Sequence, residues 1–314
     1  MRIIFLGTPA LSVPVLDALY KSEHSILAVV TQPDKRQGRK QTLVASPVKE
    51  YAVQNNIPVF QPEKVGSRDF INQMKELQPD VMVLVAYGQM IGKTLLSLAP
   101  WGILNVHYSL LPKYRGASPL SAAILAGEKE TGITIMRLVR AMDAGPILAQ
   151  QTVEILPTDT REMLENKSSM CGAELLLKVL QGLPNGEYEP KEQNEEEATF
   201  CSVLEKKEGI IPWEKSATYL DCFVRAMNPW PMAYSALHRA RAVDPILVWE
   251  ACVHNVDVTA KPGTIINIDR NGIEVATGEN ALYITKLQKA GRNAMSTAEF
   301  LRGTHLEIGD YFAL

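Results

Sequence analysis

The first half of the chain alternates two apolar patterns. "RIIFLGT" (residues 2–8), "SILAVVTQ" (25–32), "IPVFQP" (57–62), "DVMVLVAYG" (80–88) and "GILNVH" (102–107) are short, nearly unbroken apolar runs. That is the pattern of strands covered on both faces. Between them, "ALSVPVLDALYKS" (10–22), "SPVKEYAVQNN" (46–56) and "SRDFINQMKELQ" (67–78) carry apolar residues at helical spacing. Pro14 falls in the first turn of one predicted helix, and Ser46 followed by Pro47 supplies an N-cap and a first helical position for another. Strands alternating with helices predict an α/β fold with a doubly wound, mostly parallel sheet of Rossmann-like type. In such a sheet, ligands bind beyond the carboxyl ends of the strands. Gly7 and Thr8, residues 86–88 and residues 105–112 all fall there.

After a long predicted helix over residues 160–181 the pattern changes. "NGEYEPKEQNEEEATF" (185–200) is Glu-rich and polar and reads as a surface linker. Beyond it, "ILVWEACVHN" (246–255), "GTIINID" (263–269), "GIEVATG" (272–278) and "ALYITKLQ" (281–288) are short runs punctuated by Gly or Asn, the pattern of a small antiparallel barrel or sandwich. The division expected is a catalytic domain over 1–188, a linker over 189–206 and a small C-terminal domain over 207–314.

Composition narrows the function. The chain has 314 residues, 46% hydrophobic and 21% charged, which suits two packed globular domains. A net charge of −3 excludes a globally basic nucleic-acid binder but leaves room for local basic patches. The four cysteines are far apart and form no metal-ligand spacing, so buried reduced thiols and no metal are expected. No apolar stretch approaches the roughly 18 residues of a membrane span, and the N-terminus lacks a signal-peptide pattern, so a cytoplasmic location with no membrane partner is expected.

The candidate chemistry lies in "ILNVHYSLLPKYRGASP" (103–119). On a strand, Asn105 and His107 project to the same side. A carboxamide NH₂ and an imidazole N–H side by side can donate to one developing oxyanion. The spacing alone is equally that of an Asn and a His satisfied at a strand end. "SLLP" makes a stiff, extended exit whose backbone can hydrogen-bond a flat heterocycle, or is an ordinary loop. Lys113 and Arg115 flank an aromatic, an arrangement that suits an anion or a solvated loop. Asp143, in the turn "MDAGPIL", is the only acid between Glu130 and Glu154. Beside His107, it would raise the imidazole pKa and fix its tautomer. By itself, an Asp in such a turn is more often a turn former.

Taken together, "NVHYSLLPKYRGASP" and "ETGITIMRLVRAMDAGPIL" (130–148) resemble the 10-formyltetrahydrofolate-dependent formyltransferases. "IIFLGTP", "TQPD", "SPVK", "PVFQP", "VAYG" and "NPWP" (228–231) extend the resemblance over nearly the whole chain, toward the members that formylate initiator methionyl-tRNA. The resemblance implies that the formyl group passes from 10-formyltetrahydrofolate to the α-amine of the esterified methionine, with no metal and no obligatory protein partner. Asn105, His107 and Asp143 match the family's catalytic set, His107 being protonated and held so by Asp143. Ser109, Leu110, Leu111 and Pro112 would hold the folate, with Ala86, Tyr87 and Gly88 lining its pterin pocket. Tyr108 stands where the family commonly has glycine, which raises the question of whether it crowds the folate mouth.

The loop "TQPDKRQGRKQTLVASP" (31–47) carries Lys35, Arg36, Arg39 and Lys40. As a flexible basic loop beside the site it can grip tRNA phosphates, and the resemblance gives Arg39 the role of opening the first acceptor-stem pair. The C-terminal domain would be an OB-like second tRNA platform, with Lys206, Lys207, Arg239, Arg241, Lys286, Lys289 and Arg292 as its cations. Trp213, Trp230 and Trp249 read as core or interface anchors. The rival is a formyltransferase acting on a nucleotide-linked amino sugar, which has no need of the basic loop. The extra residues beyond the first domain argue against a glycinamide ribonucleotide formyltransferase. A formyltetrahydrofolate hydrolase would carry a different accessory domain, and a pure binding protein would not need the full polar set.

Overall fold

The computed structural model describes residues 1–37 and 41–313 of the chain. They fall into two compact units, one of Met1–Pro119, Glu130–Glu154 and Glu165–Ser202, the other of Leu120–Lys129, Ile155–Leu164 and the described chain from Val203.

The first unit is mixed α/β. Its strands are β1 (Arg2–Gly7), β2 (Ser25–Val30), β3 (Lys35–Gln37), β4 (Thr42–Val44), β5 (Val59–Phe60), β6 (Val81–Val85), β7 (Ile103–His107), β8 (Arg115–Gly116), β9 (Glu130–Arg137), β10 (Ile147–Glu154) and β11 (Phe200–Cys201). The helices up to residue 182 are α1 (Val13–Lys21), α2 (Pro47–Gln54), α3 (Arg68–Glu76), α4 (Lys93–Leu96), α5 (Pro119–Leu125) and α6 (Arg161–Gly182). Seven strands form one sheet in the order β10-β9-β7-β6-β1-β2-β5. The run from β5 to β7 is parallel, whereas β9 and β10 are antiparallel. The central strands are apolar throughout because they are buried throughout. Ile3, Ile4, Phe5 and Leu6 of β1 and Met82 and Val83 of β6 are fully inaccessible. Local chemistry starts the helices where the sequence places them: Ser46 Oγ accepts the Lys49 N–H at 3.1 Å, and Pro47 occupies the first turn of α2.

Two segments differ from the sequence reading. The basic loop is a β-hairpin, not a flexible coil: β3 pairs with β4, Lys35 opposite Val44 and Arg36 opposite Leu43. Its base is held by Asp34, which accepts from Lys49 Nζ at 2.6 Å and from Gln61 Nε2 at 2.7 Å. The Glu-rich segment is not a free tether either. Within the first unit, β11 pairs in parallel with β8, and Thr199 Oγ1 accepts the Tyr114 N–H at 2.8 Å. The stretch stays on the surface, with Glu195 70% exposed, and its backbone pairs there with a two-residue strand.

The second unit is built on α7 (Ala217–Met227) and a curled antiparallel sheet of β12 (Ala233–Arg239), β13 (Ala242–His254), β14 (Ile265–Ile268), β15 (Ile273–Ala276), β16 (Ala281–Lys289), β17 (Met295–Ser296) and β18 (Tyr311–Ala313), with α8 (Thr297–Gly303) before the last strand. The sheet runs β14-β15-β16-β13-β12-β18, and a bridge between Thr264 and Tyr311 brings its two edges together. Leu220, Phe223, Val224 and Met227 of α7 share one buried cluster with Leu237, Ile246, Val248, Ile284, Leu287 and Phe312. Trp213 belongs to that core, donating its Nε1–H to Ser235 Oγ at 3.1 Å. Trp230 does not: the indole expected to be buried in "NPWP" is 50% exposed. All four cysteines are free, but only Cys222 is buried and Cys252 is exposed.

Candidate active site

β7 runs between β6 and β9, so its side chains are enclosed from both flanks. Asn105 lies opposite Leu84 and Met136, His107 opposite Thr134. Asn105 is 5% exposed, and its carboxamide makes no hydrogen bond to any described residue. A carboxamide on a rigid strand with no partner among the described residues has its donors available to a ligand.

His107 is 6% exposed. Its Nε2 lies 3.0 Å from the Tyr114 carbonyl oxygen. A carbonyl only accepts, so Nε2 carries the proton. The other nitrogen, Nδ1, faces Asp143 Oδ2 at 3.7 Å, too long for a direct hydrogen bond. The sequence reading has His107 protonated, and its burial acts against that. Burial pushes its pKa below the ordinary 6.5, and the opposing pull of the Asp143 carboxylate and of the Tyr114 carbonyl does not restore it. The imidazole is therefore neutral above that value, with a bare Nδ1 turned to a carboxylate.

Asp143 stands on a left-handed backbone, φ +47°, at the turn between β9 and β10. Strain of this kind persists only where surroundings hold it. The Gly116 N–H donates to Asp143 Oδ2 at 2.8 Å. Gly116 has to be glycine: its φ is +122°, and a Cβ there would lie 2.0 Å from the Cys201 carbonyl oxygen. Arg115, read from sequence as an anion-binding or solvated side chain, is neither. It is 2% exposed, with its guanidinium on Glu195 at 2.7 and 2.9 Å and on Gln193 Oε1 at 2.8 and 3.0 Å. Gln193 in turn donates to the backbone carbonyls of Asp143 and Gly145. Tyr114, Gly116, Gln193 and Thr199 thus belong to the framework of the site. The sequence offered no signal for them beyond a Gly after a basic residue and a Gln in a polar run.

The residues expected to hold the folate divide. Ser109, Leu110, Leu111 and Pro112 form a stiff wall next to β9. Thr134 Oγ1 donates to the Ser109 carbonyl at 2.6 Å and accepts the Leu111 N–H at 3.1 Å, while Gln150 Nε2 donates to the Leu111 carbonyl at 2.9 Å. The Leu111 N–H, expected to be available to a heterocycle, is committed to the protein; its carbonyl oxygen keeps a second lone pair. The Tyr87 ring is packed into the core, its hydroxyl buried without a partner among the described residues and pushed up to about 12 by that burial. Its carbonyl accepts from Thr8 Oγ1 and Gln32 Nε2. With Ala86 and Gly88 both left-handed, at φ +47° and +89°, this turn offers a ligand main chain rather than the Tyr87 ring. That fits recognition of a flat, amide-edged heterocycle. Tyr108 is turned away from His107: its ring lies against Gly172 of α6 and its hydroxyl donates to the Leu11 carbonyl at 3.4 Å. It does not crowd the wall that follows it.

Residues 1–180 match the family model "Formyl transferase", and residues 203–305 match "Formyl transferase, C-terminal domain". The chain belongs to the formyl transferase family. It is 41% identical over 310 residues to a "Methionyl-tRNA formyltransferase" of Bacillus subtilis (strain 168), covering 98% of this chain and 96% of that one. It is 40% identical over 314 residues to the protein of the same description from Agathobacter rectalis, covering both in full. Among solved structures, HypX from Aquifex aeolicus in complex with tetrahydrofolic acid superposes with a TM-score of 0.65 at 19% identity, over all of this chain and 51% of that one. WlaRD, a sugar 3N-formyl transferase, superposes with a TM-score of 0.65 at 18% identity, over 93% of this chain and 99% of that one. At these identities the two structures share the formyltransferase fold.

The cations of this formyltransferase are unevenly available. Lys35 and Arg36 are exposed on the hairpin, whereas Arg39 and Lys40 lie outside the described residues. In the second unit, Asp244 takes both Arg239 and Lys289, Lys286 pairs with Glu250 at 2.8 Å, and Lys207 pairs with Glu205 at 2.9 Å. Four of the seven cations expected there pair with neighbouring carboxylates. No helix among the described residues is long and apolar enough to cross a membrane.

Proposed function

We propose that this chain transfers the formyl group of 10-formyltetrahydrofolate to the α-amino group of methionine on initiator methionyl-tRNA, in the cytoplasm, for translation initiation. The observation that carries the reading is the 40–41% identity, end to end, to formyltransferases described as acting on methionyl-tRNA. The folate, when bound, supplies the formyl group. Ser109, Leu110, Leu111 and Pro112, with the main chain of residues 86–88, would hold it.

The chain's own residues then divide the work. The unpaired carboxamide of Asn105 donates to the oxygen on which negative charge develops, a contribution of about 2.7–4 kcal/mol for one such donor. His107 takes the proton of the attacking amine at Nδ1, the nitrogen that Tyr114 leaves bare. Asp143 stabilises the imidazolium so formed. Two proton acceptors 3.7 Å apart can both accept from one N–H donor or water placed beside them. This assignment keeps the three residues read from the sequence and changes the resting state of one. Lys35 and Arg36, together with Arg39 and Lys40 that follow in the sequence, would reach the acceptor stem through phosphates. Residues 1–188 would be the catalytic domain and 207–314 the second tRNA platform.

The test is direct. The protein is given 10-formyltetrahydrofolate with charged initiator methionyl-tRNA, and separately with a nucleotide-linked amino sugar. Formylation of the tRNA-borne methionine is expected; formylation of the sugar alone would replace this reading.

A further inference from the structure

The Asp143 carboxylate sits on a strained backbone in a turn of its own, and the turn is not held by the strands beside it alone. Gln193, fifty residues downstream in the Glu-rich segment, spans it from outside. Its Nε2 donates to the Asp143 carbonyl at 2.8 Å and to the Gly145 carbonyl at 2.7 Å, and it lies 4.0 Å from the sulfur of Met136, the residue opposite Asn105 in the sheet. Both amide hydrogens are thus used on one turn. The other end of the amide is fixed as firmly, since Gln193 Oε1 accepts from Arg115 Nε and Nη2. Arg115 is anchored by the two-pronged contact with Glu195 and by its burial. A guanidinium can only donate, so the carbonyl end of Gln193 must face it and the NH₂ end must face the turn. The arrangement has one orientation.

The same segment holds the partner of Asp143. Thr199 Oγ1 accepts the Tyr114 N–H, the Thr199 carbonyl accepts the Arg115 N–H at 2.8 Å, and the Tyr114 carbonyl takes the His107 Nε2–H. Residues 193–201 therefore secure both sides of the gap between Nδ1 and the carboxylate.

We propose that Gln193 is a positioning residue for Asp143: its amide clamps the turn carbonyls of Asp143 and Gly145 against buried Arg115, and so sets the carboxylate at its working distance from His107. This rests on the reading that Asp143 takes part in formyl transfer. A displacement of about 1 Å at a catalytic group costs as much as 10²-fold in rate. Removing the clamp should therefore lower kcat while leaving both substrates bound.

Two nearly isosteric variants test this. Gln193→Glu keeps an acceptor for Arg115 and puts an acceptor where the turn carbonyls need a donor; Gln193→Leu removes both. In folded protein, each should lower kcat by roughly 10- to 100-fold. The KM values for 10-formyltetrahydrofolate and methionyl-tRNA should move by less than about threefold. In Gln193→Leu, which adds no charge, the His107 ring signals should titrate at lower pH than in the wild type, because the carboxylate that raises its pKa has moved away. A purely structural role would not move that titration selectively. Combining Gln193→Glu with Asp143→Asn should give the kcat of Asp143→Asn alone, within about twofold. Wild-type kcat in either folded Gln193 variant overturns the proposal, as do losses that multiply in the double variant. Wild-type kcat in Asp143→Asn would sink the underlying reading of Asp143 and this proposal with it. An impaired Asp143→Asn beside unimpaired Gln193 variants would sink the Gln193 proposal alone.

Discussion

The Tyr114 carbonyl accepts the His107 Nε2–H at 3.0 Å, and that bond decides which imidazole nitrogen faces Asp143. Nδ1 is left as the proton-accepting atom, 3.7 Å from Asp143 Oδ2. In the proposed reaction the ring receives a proton there, and the carboxylate stabilises the charge that results.

His107 should accordingly titrate below its ordinary value of 6.5, since burial outweighs the carboxylate. Replacing Asp143 by Asn removes the group that favours the charged ring and should lower the titration further. Ring-carbon chemical shifts across pH measure both. The sign for stability follows: a depressed folded-state pKa gives a contribution complete above 6.5 and lost as pH falls below it, because the unfolded chain takes the proton first. An imidazole titrating above 6.5 would contradict the neutral resting state.

Asn105→Ala should lower kcat by about 10²–10³-fold, the cost of one oxyanion donor. Folate affinity should change little, because the amide acts on charge that is absent from the ground state. Single-turnover rates and equilibrium titration separate the two. A defect confined to binding would remove Asn105 from the chemistry.

Gly116→Ala should disrupt the site from its backbone. The added Cβ would meet the Cys201 carbonyl at 2.0 Å on a left-handed residue. The pairing of β8 with β11 would open, and Asp143 would lose its main-chain donor. Destabilisation of more than about 1 kcal/mol is expected together with a fall in kcat. Thermal denaturation and steady-state kinetics check the two effects.

Neutralising Lys35 and Arg36 together should raise KM for methionyl-tRNA and spare folate binding, with the same expected of Arg39 and Lys40. For each cation that no longer pairs with a phosphate, the dependence of log kcat/KM on log salt should become shallower by about one. Unchanged tRNA kinetics after all four substitutions would take the hairpin out of substrate recognition.

The elements with strong local periodicity were legible before any coordinates. β1, β2, β6 and β7 are apolar on both faces because neighbours bury both faces, and α2 starts where Ser46 and Pro47 can cap it. Asn105 and His107 stood out because polar groups inside such a run need a reason. What could not be read were pairings that depend on distant segments meeting. The Glu-rich stretch lies on the surface as its composition indicated, but composition says nothing of a β8 edge available for pairing. Arg115 looked like a surface cation, since its carboxylate partner lies eighty residues away.

The sequence by itself determined the α/β order and the family, and singled out Asn105, His107 and Asp143 as candidates, because period, turn chemistry and residue type are local properties of the chain. Only the tertiary structure decided the hydrogen-bond partner of His107, the commitment of the Leu111 N–H and the contacts of Gln193. Each of these depends on desolvation and on hydrogen-bond partners that folding brings from elsewhere, and no local pattern encodes them.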